Sequence, residues 1–273
     1  MATSTSTAKK KQVSNAANEA KRQVFRETIK SLLATHFSGT LNTQDDMVKI
    51  FLSLMLLESS WNVDVRGKSI PVRISSGARD YWNSNAVKKI LETGTATQIS
   101  NVTEGLRAMG LSQTMGWNHV KGASATGKCE IERIRPDLAG QLCVAPGDDI
   151  AAILVGEKNI SNNILAGLAI LESKWKACKA VPGGWKIGSR VFPLRISASV
   201  AGYLGLGKAD VVTGKTPEDY SASIVGGDMY AKANGDTSPQ IRDSKVQYAT
   251  TTTQGPVMTV ASAKPNGPAG CSA

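Results

Sequence analysis

The chain has 273 residues, 41% of them hydrophobic and 20% charged, enough for one well-cored domain with extensions or for two small domains. Its longest apolar runs, Ile50 to Leu57 and Ile164 to Leu171, fall short of the roughly 18 residues a bilayer span needs, which excludes a transmembrane helix. The net charge of +10 favours an anionic partner, whether nucleic acid, cell wall or an acidic protein surface, without choosing among them.

In chain order, residues 1–14 are small, polar and basic and read as an N-terminal tail. No apolar stretch follows Lys9, Lys10 and Lys11, so a secretory signal is not expected. Asn15 to Phe37 carries Val24, Ile29, Leu32 and Leu33 between charged residues and predicts an amphipathic helix ending before Gly39. A second helix follows, with Thr43 as its cap and Asp46 three residues later. Its apolar positions Met47, Ile50, Phe51, Leu54, Met55 and Leu57 recur at helical steps, and Glu58 falls at its C-terminal end on the face of Phe51 and Leu54.

Further helices are expected at Ser84 to Thr93, Gln98 to Met109, Asp148 to Glu157 and Ile160 to Trp175. The last helix starts near Thr216-Pro217-Glu218-Asp219, where Thr caps, Pro takes the first helical position and the acids face the positive dipole end. Strand signal is thin, with short candidates at Val72 to Ile74 and Val191 to Ile196. Residues 233–273 are rich in Thr, Ser, Gly, Pro and Ala and read as a low-complexity C-terminal tail. The expected architecture is mainly α with a little β.

The four cysteines, Cys129, Cys143, Cys178 and Cys271, show no C-x-x-C spacing and the only histidines are His36 and His119, which speaks against a zinc site. The distance from Cys129 to Cys143 permits a bridge, but free thiols are the favoured reading. Aromatic residues make up only 5%, and no run of Lys and Arg exceeds three, so nucleic-acid binding is not favoured.

Glu58 follows the apolar run Leu54 to Leu57 and precedes Trp61. Partial desolvation there would disfavour its carboxylate and keep it protonated near neutrality, as a general acid requires. Leu171-Glu172-Ser173-Lys174-Trp175 echoes Leu57-Glu58-Ser59-Ser60-Trp61 and makes Glu172 a rival acid. Asp64 and Asp80 are the nearest downstream acids, each also readable as a loop or capping aspartate.

Four segments in order resemble the soluble lytic transglycosylase and goose-type lysozyme superfamily. Glu58-Ser59-Ser60-Trp61-Asn62 resembles its E-S-x-aromatic-N motif, and Gly110-Leu111-Ser112-Gln113 its G-L-M-Q motif. Asn163 to Leu171 is similar to its N-I-x-x-G-x-x-Y-L helix, and Ala201 to Asp210 to its A-x-Y-N-G-G segment. Ser112, Ile170 and Leu204 stand where the family has Met, Tyr and Asn. The Glu58 to Gly110 interval is also longer than the family's, which places an insertion at about 63–105.

The resemblance implies a single lysozyme-like domain over residues 15–232, of mainly α or α+β class, that cleaves the β-1,4 bond between N-acetylmuramic acid and N-acetylglucosamine without metal or cofactor. Glu58 would be the acid and then the base, and one carboxylate suffices if the substrate's own hydroxyl completes the displacement. Ser59, Gln113, Asn163 and Tyr203 would support the acid or bind the sugar. Peptidoglycan strands are then the expected partner. With no signal expected, delivery in a virion as a phage tail or baseplate lysozyme, docked to tail proteins through the terminal tails, is the expected setting. The alternative is a catalytically degenerate structural hub or glycan-binding protein.

Overall fold

The computed structural model describes residues 4–43, 46–73, 75–124, 126–205, 216–235, 247–249 and 257–259. Ile74, Cys271, the 206–210 end of the tyrosine motif and most of the C-terminal tail lie outside the described residues.

The first helix, α1, runs Ser4–His36, so its backbone continues through most of the segment expected as a tail. Its apolar face buries Phe25, Ile29 and Leu33. A 3-10 turn, Leu41–Thr43, follows, and there the Thr43 hydroxyl donates to Thr40 O at 2.7 Å. Helix α2, Met47–Ser59, does not have Thr43 as its N-cap. The N-cap is Asp46, in a left-handed conformation and without a side-chain cap bond. Residues 47, 50–56 and 59 of α2 are buried, the pattern of a central helix covered all round. It packs against α1, α11 and α12.

The segment expected as an insertion folds into α3 (Ser76–Asn83), α4 (Asn85–Thr93) and α5 (Ala96–Glu104). Serine and threonine caps set all three starts. Ser75 and Ser84 accept from Ala78 N and Val87 N, and Thr95 forms a reciprocal capping box with Gln98. The helix expected to reach Met109 stops at Glu104. There the chain turns into β1 (Ala108–Met109), which pairs antiparallel with β2 (Thr114–Met115). Tyr81 donates to Val102 O at 2.9 Å and holds α3 to the end of α5. Gly105 is needed there, since a Cβ would lie 2.4 Å from the Tyr81 hydroxyl. No strand forms at Val72 and Arg73, which lie in a turn.

Short helices α6 (Glu130–Ile134), α7 (Ala139–Leu142) and α8 (Ala151–Leu154) follow. The helix expected over Asp148 to Glu157 is thus confined to one turn, and Gly156, at φ 93°, ends any continuation. Next comes α9, Ile160–Ala177, with residues 163–169, 171, 172 and 175 buried. A three-stranded antiparallel meander, β3 (Lys179–Val181), β4 (Gly184–Ile187) and β5 (Arg190–Phe192), leads into α10, Arg195–Tyr203. Only its last strand was legible, as Val191 to Ile196, and even there the chain is helical from Arg195. The guanidinium of Arg195 is buried over the Trp175 ring at 4.0 Å and donates to Trp175 O at 2.9 Å, which fixes α10 on α9.

Helix α11, Pro217–Val225, starts as expected, with Thr216 and Asp219 in a capping box and Pro217 in the first turn. The last elements are α12 (Asp228–Asn234) and a hairpin of β6 (Gln247–Ala249) with β7 (Val257–Thr259). The protein is mainly α with small sheets, and one continuous core joins α1, α2, the α3–α5 segment and α9. Among the described residues no helix is long and apolar enough to cross a membrane.

Cys129 and Cys143 form a disulfide across a separation of 14 residues, and Cys178 is free and buried. The free-thiol reading of the first two is corrected: Cys129 caps α6 and Cys143 ends α7, and the intervening helices bring them together. Loop closure of this size is worth about 3 kcal/mol. The double variant Cys129→Ala/Cys143→Ala is therefore expected to lose about that much unfolding free energy in a urea titration. Reductant should produce the same loss in the parent chain and none in the variant.

Candidate active site

Glu58 occupies the last turn of α2, where burial of the whole helix leaves it half-covered. Among the described residues no cation or hydrogen-bond donor faces its carboxyl. Burial alone pushes its pKa up to about 7, well above the ordinary carboxylate value of 4.5. A protonated carboxylic acid is therefore substantially populated at neutral pH.

The chain leaves α2 through two consecutive left-handed residues, Ser60 (φ 53°) and Trp61 (φ 60°). Side chains adopt this region at a cost of about 1–2 kcal/mol per residue, so something must hold them there. Ser60 N donates to Leu56 O at 3.0 Å. The Trp61 indole is buried edge-on against Phe25 and donates to Leu52 O at 3.1 Å. Trp61 is thus a core clamp that fixes the end of α2, and with it Glu58. Ser59 does not support the acid as expected, because its buried hydroxyl donates back to Met55 O at 2.9 Å.

The Gly110-Leu111-Ser112-Gln113 segment is the turn between β1 and β2 and is tied down from α9. Asn163, almost fully buried, accepts from Ser112 N at 2.7 Å through Oδ1. Through Nδ2 it donates to Met109 O at 2.9 Å and Leu154 O at 3.1 Å. The Ser112 hydroxyl returns a bond to Asn163 O at 2.8 Å. Two glycines make the approach possible. A Cβ on Gly110 would lie 2.2 Å from Asn163 Nδ2, and one on Gly167 would lie 2.6 Å from Ser112 Cβ. Ser112 is thus a small, fully bonded residue wedged against α9.

The third connection comes from α10. The hydroxyl of Tyr203 donates to Ser112 O. Burial first, and then the nearby charge of Glu58, hold this phenol well above its ordinary pKa, so it stays neutral and can act only as a hydroxyl. The backbone and side chain of Ser112 therefore join the glycine turn, the Asn163 helix and the Tyr203 helix, with Glu58 close to Tyr203. Serine at this position did not signal such a role, because two of its bonds are made by its backbone.

Gln113, at φ 48°, is another of the few non-glycine residues with positive φ among those described. Its amide nitrogen donates to Gly110 O at 2.7 Å, which leaves Oε1, lying against Gly67, as the group able to meet a ligand. Leu204 caps α10 and packs on the core.

The rival acid is differently placed. Glu172 is buried and accepts from Thr40 Oγ1 at 2.6 Å and from Arg135 Nη1 at 3.2 Å, with Lys176 Nζ also at 3.2 Å. It binds the turn after α1 to the end of α6, a structural task. Asp64 and Asp80 are both exposed, and neither contributes to the shift at Glu58. His119 is buried beside this region and held neutral, its pKa pushed down to about 4 chiefly by burial. Its Nδ1 donates to Leu142 O at 2.7 Å while Nε2 faces the Thr114 hydroxyl at 3.2 Å. Among the described residues no three His, Cys, Asp or Glu side chains converge as a metal ion would require.

The arrangement offers one protonated carboxyl near a neutral phenol on a rigid base, suited to giving and retaking a proton. Comparison of the chain with family models, with curated proteins and with solved structures finds no match.

Proposed function

We propose that this chain cleaves the β-1,4 bond between N-acetylmuramic acid and N-acetylglucosamine in peptidoglycan, with Glu58 as the only carboxyl in the reaction. The observation that carries this reading is the convergence on Ser112. The segments that resemble the family's motifs lie far apart in sequence, yet Asn163 and Tyr203 bond the same residue, and Tyr203 lies close enough to Glu58 to be affected by its charge. Glu58 gives its proton to the glycosidic oxygen as the C1–O bond breaks, and the departing N-acetylglucosamine keeps that oxygen as a hydroxyl. The Glu58 carboxylate then takes the proton of the muramyl C6 hydroxyl while its oxygen bonds C1, which restores the acid and yields a 1,6-anhydro end. No described acid is set beside Glu58 to activate water, which favours this route over two-carboxylate hydrolysis. The Cys129–Cys143 bridge suits a place of action outside a reducing cytosol.

A second reading, a lysozyme-shaped hub or glycan binder that does not cut, draws on Leu204 in place of a polar residue. Digestion of purified peptidoglycan with mass spectrometry of the products separates the two. The parent chain and Glu172→Gln, if folded, are expected to release anhydro-ended muropeptides, and Glu58→Gln is expected to release none. Reducing ends would convert the proposal to a hydrolase, and no release by the folded parent chain would leave the second reading.

A further inference from the structure

The Cys129–Cys143 bridge is tied to the candidate active site by a buried polar path. Cys143 follows Leu142, whose carbonyl accepts from His119 Nδ1 at 2.7 Å, and His119 Nε2 meets the Thr114 hydroxyl at 3.2 Å. A carbonyl only accepts, so Nδ1 carries the ring proton; the ring is neutral, so Nε2 accepts from Thr114. Thr114 opens β2 immediately after Gln113 and faces Met109 across the β1–β2 pair. The turn between those two residues holds Ser112, where Asn163 and Tyr203 meet. Backbone bonds run beside the path: Val144 N donates to His119 O at 2.8 Å and Lys121 N to Val144 O at 2.9 Å.

His119 and Thr114 are almost fully buried. An imidazole and a hydroxyl cost desolvation in a core where apolar side chains would not, but once both are bonded they hold a single arrangement of the segments they join. Those segments are the Cys143 end of α7 and the base of the active-site turn. Helix α7 is one turn of four residues, too short to be stable by itself. The bridge fixes its end to Cys129 at the start of α6, which packs on α9. Cys129 is buried and Cys143 half-buried, so Cys143 is the side open to an attacking thiol.

We propose that His119 is a positioning residue that passes the state of the Cys129–Cys143 bridge to the Glu58 site, so that cleavage is fast with the bridge closed and slow once a dithiol has opened it. In the opening step one thiolate of the dithiol bonds to the Cys143 sulfur as the S–S bond breaks, and Cys129 departs with the electron pair and takes a proton. The second thiolate then displaces Cys143, which is protonated in turn, and the reductant ends as a cyclic disulfide. The inference rests on the cleavage reading for its activity readout and on the hydrogen-bond path alone for the coupling. It makes the chain slow in a reducing compartment and fast outside one.

The test uses the full-length chain, oxidised and after dithiothreitol, far below the thermal midpoint of the reduced form and with near-ultraviolet circular dichroism showing both folded. Two readouts are followed, kcat and KM for peptidoglycan digestion and hydrogen exchange of the Ser112 N–H. Reduction is expected to lower kcat about tenfold with KM little changed, and to speed Ser112 exchange by a similar factor. Thr114→Val keeps the bridge and the shape but removes the hydroxyl that His119 bonds. It should be slow in cleavage and fast in exchange already when oxidised, and reduction should add about twofold or less. Equal kcat and exchange in the oxidised and reduced parent, or a full response to reduction in Thr114→Val, overturns the proposal. If the reduced chain does not stay folded, oxidised Thr114→Val decides alone, and parent-like kcat and exchange there overturn the proposal. Absence of digestion by the oxidised parent removes the cleavage reading, while Ser112 exchange that depends on the bridge, and no longer does so in Thr114→Val, upholds the coupling by itself.

Discussion

Replacing Glu58 by Gln is expected to abolish peptidoglycan cleavage, by about a thousandfold or more, and at the same time to make the protein more stable at pH 8. The two effects share one cause. Burial lifts the folded-state pKa of Glu58 to about 7 from an ordinary 4.5, so between those values the native protein holds a proton that the unfolded chain has released. Stability then falls as pH rises from about 4.5, and the loss is complete above about 7; a displacement of that size is worth about 3 kcal/mol. Glutamine keeps the shape and carries no charge to desolvate. Urea titrations should therefore show Glu58→Gln more stable than the parent by about 2–3 kcal/mol at pH 8 and equal to it at pH 4. Cleavage by the parent chain should in turn decline as pH rises through 7 and the acid ionises. A stability gain of the same size at both pH values would show that Glu58 is solvated and would remove the basis for its role as an acid.

That pairing also explains why Glu58 was legible from sequence while much around it was not. A largely apolar helix whose last run, Leu54 to Leu57, ends in a glutamate leaves the glutamate few ways to reach water, and the structure of α2 follows directly from that pattern. The position of α4 and the cap of α11 were equally readable, the latter because a threonine placed before an acid has a local partner. Helix α3 was missed because Ser76–Asn83 has too few apolar residues for a visible period and depends on Tyr81 reaching Val102. Strands β3 and β4 were missed because they alternate weakly and are defined by each other. The disulfide depended on where α6 and α7 fold, which spacing alone does not say. At the site, the residue with the most connections, Ser112, uses its backbone N–H and carbonyl for two of them, and backbone groups are the same at every position in a sequence. Ser59 failed for the opposite reason: a helical serine has a carbonyl four residues back, and this one took it.

The strongest structural effect is expected at Asn163. Its carboxamide accepts from Ser112 N and donates to Met109 O and Leu154 O in a site from which water is excluded. Asn163→Ala takes their Asn163 partner from the buried Ser112 N–H and Leu154 carbonyl, removes a second donor from Met109 O and opens a gap beneath the β1–β2 turn, at a cost of about 3 kcal/mol. Asn163→Asp separates hydrogen bonding from volume. An ionised carboxylate there would face two carbonyl oxygens, so its folded-state pKa must rise above the unfolded value of about 3.9. The aspartate variant should thus lose stability progressively as pH increases above about 4, while the alanine variant shows a nearly pH-independent deficit relative to the parent. Similar pH dependence in both variants would mean that Asn163 contributes packing and little hydrogen bonding. Because the carbonyl that receives the Tyr203 hydroxyl belongs to the same residue that Asn163 holds by its N–H, loosening Asn163 also moves the acceptor of the phenol beside Glu58. Cleavage by the folded Asn163→Ala protein should consequently fall well below the parent's even at temperatures far beneath its unfolding midpoint, which a purely global loss of stability would not produce.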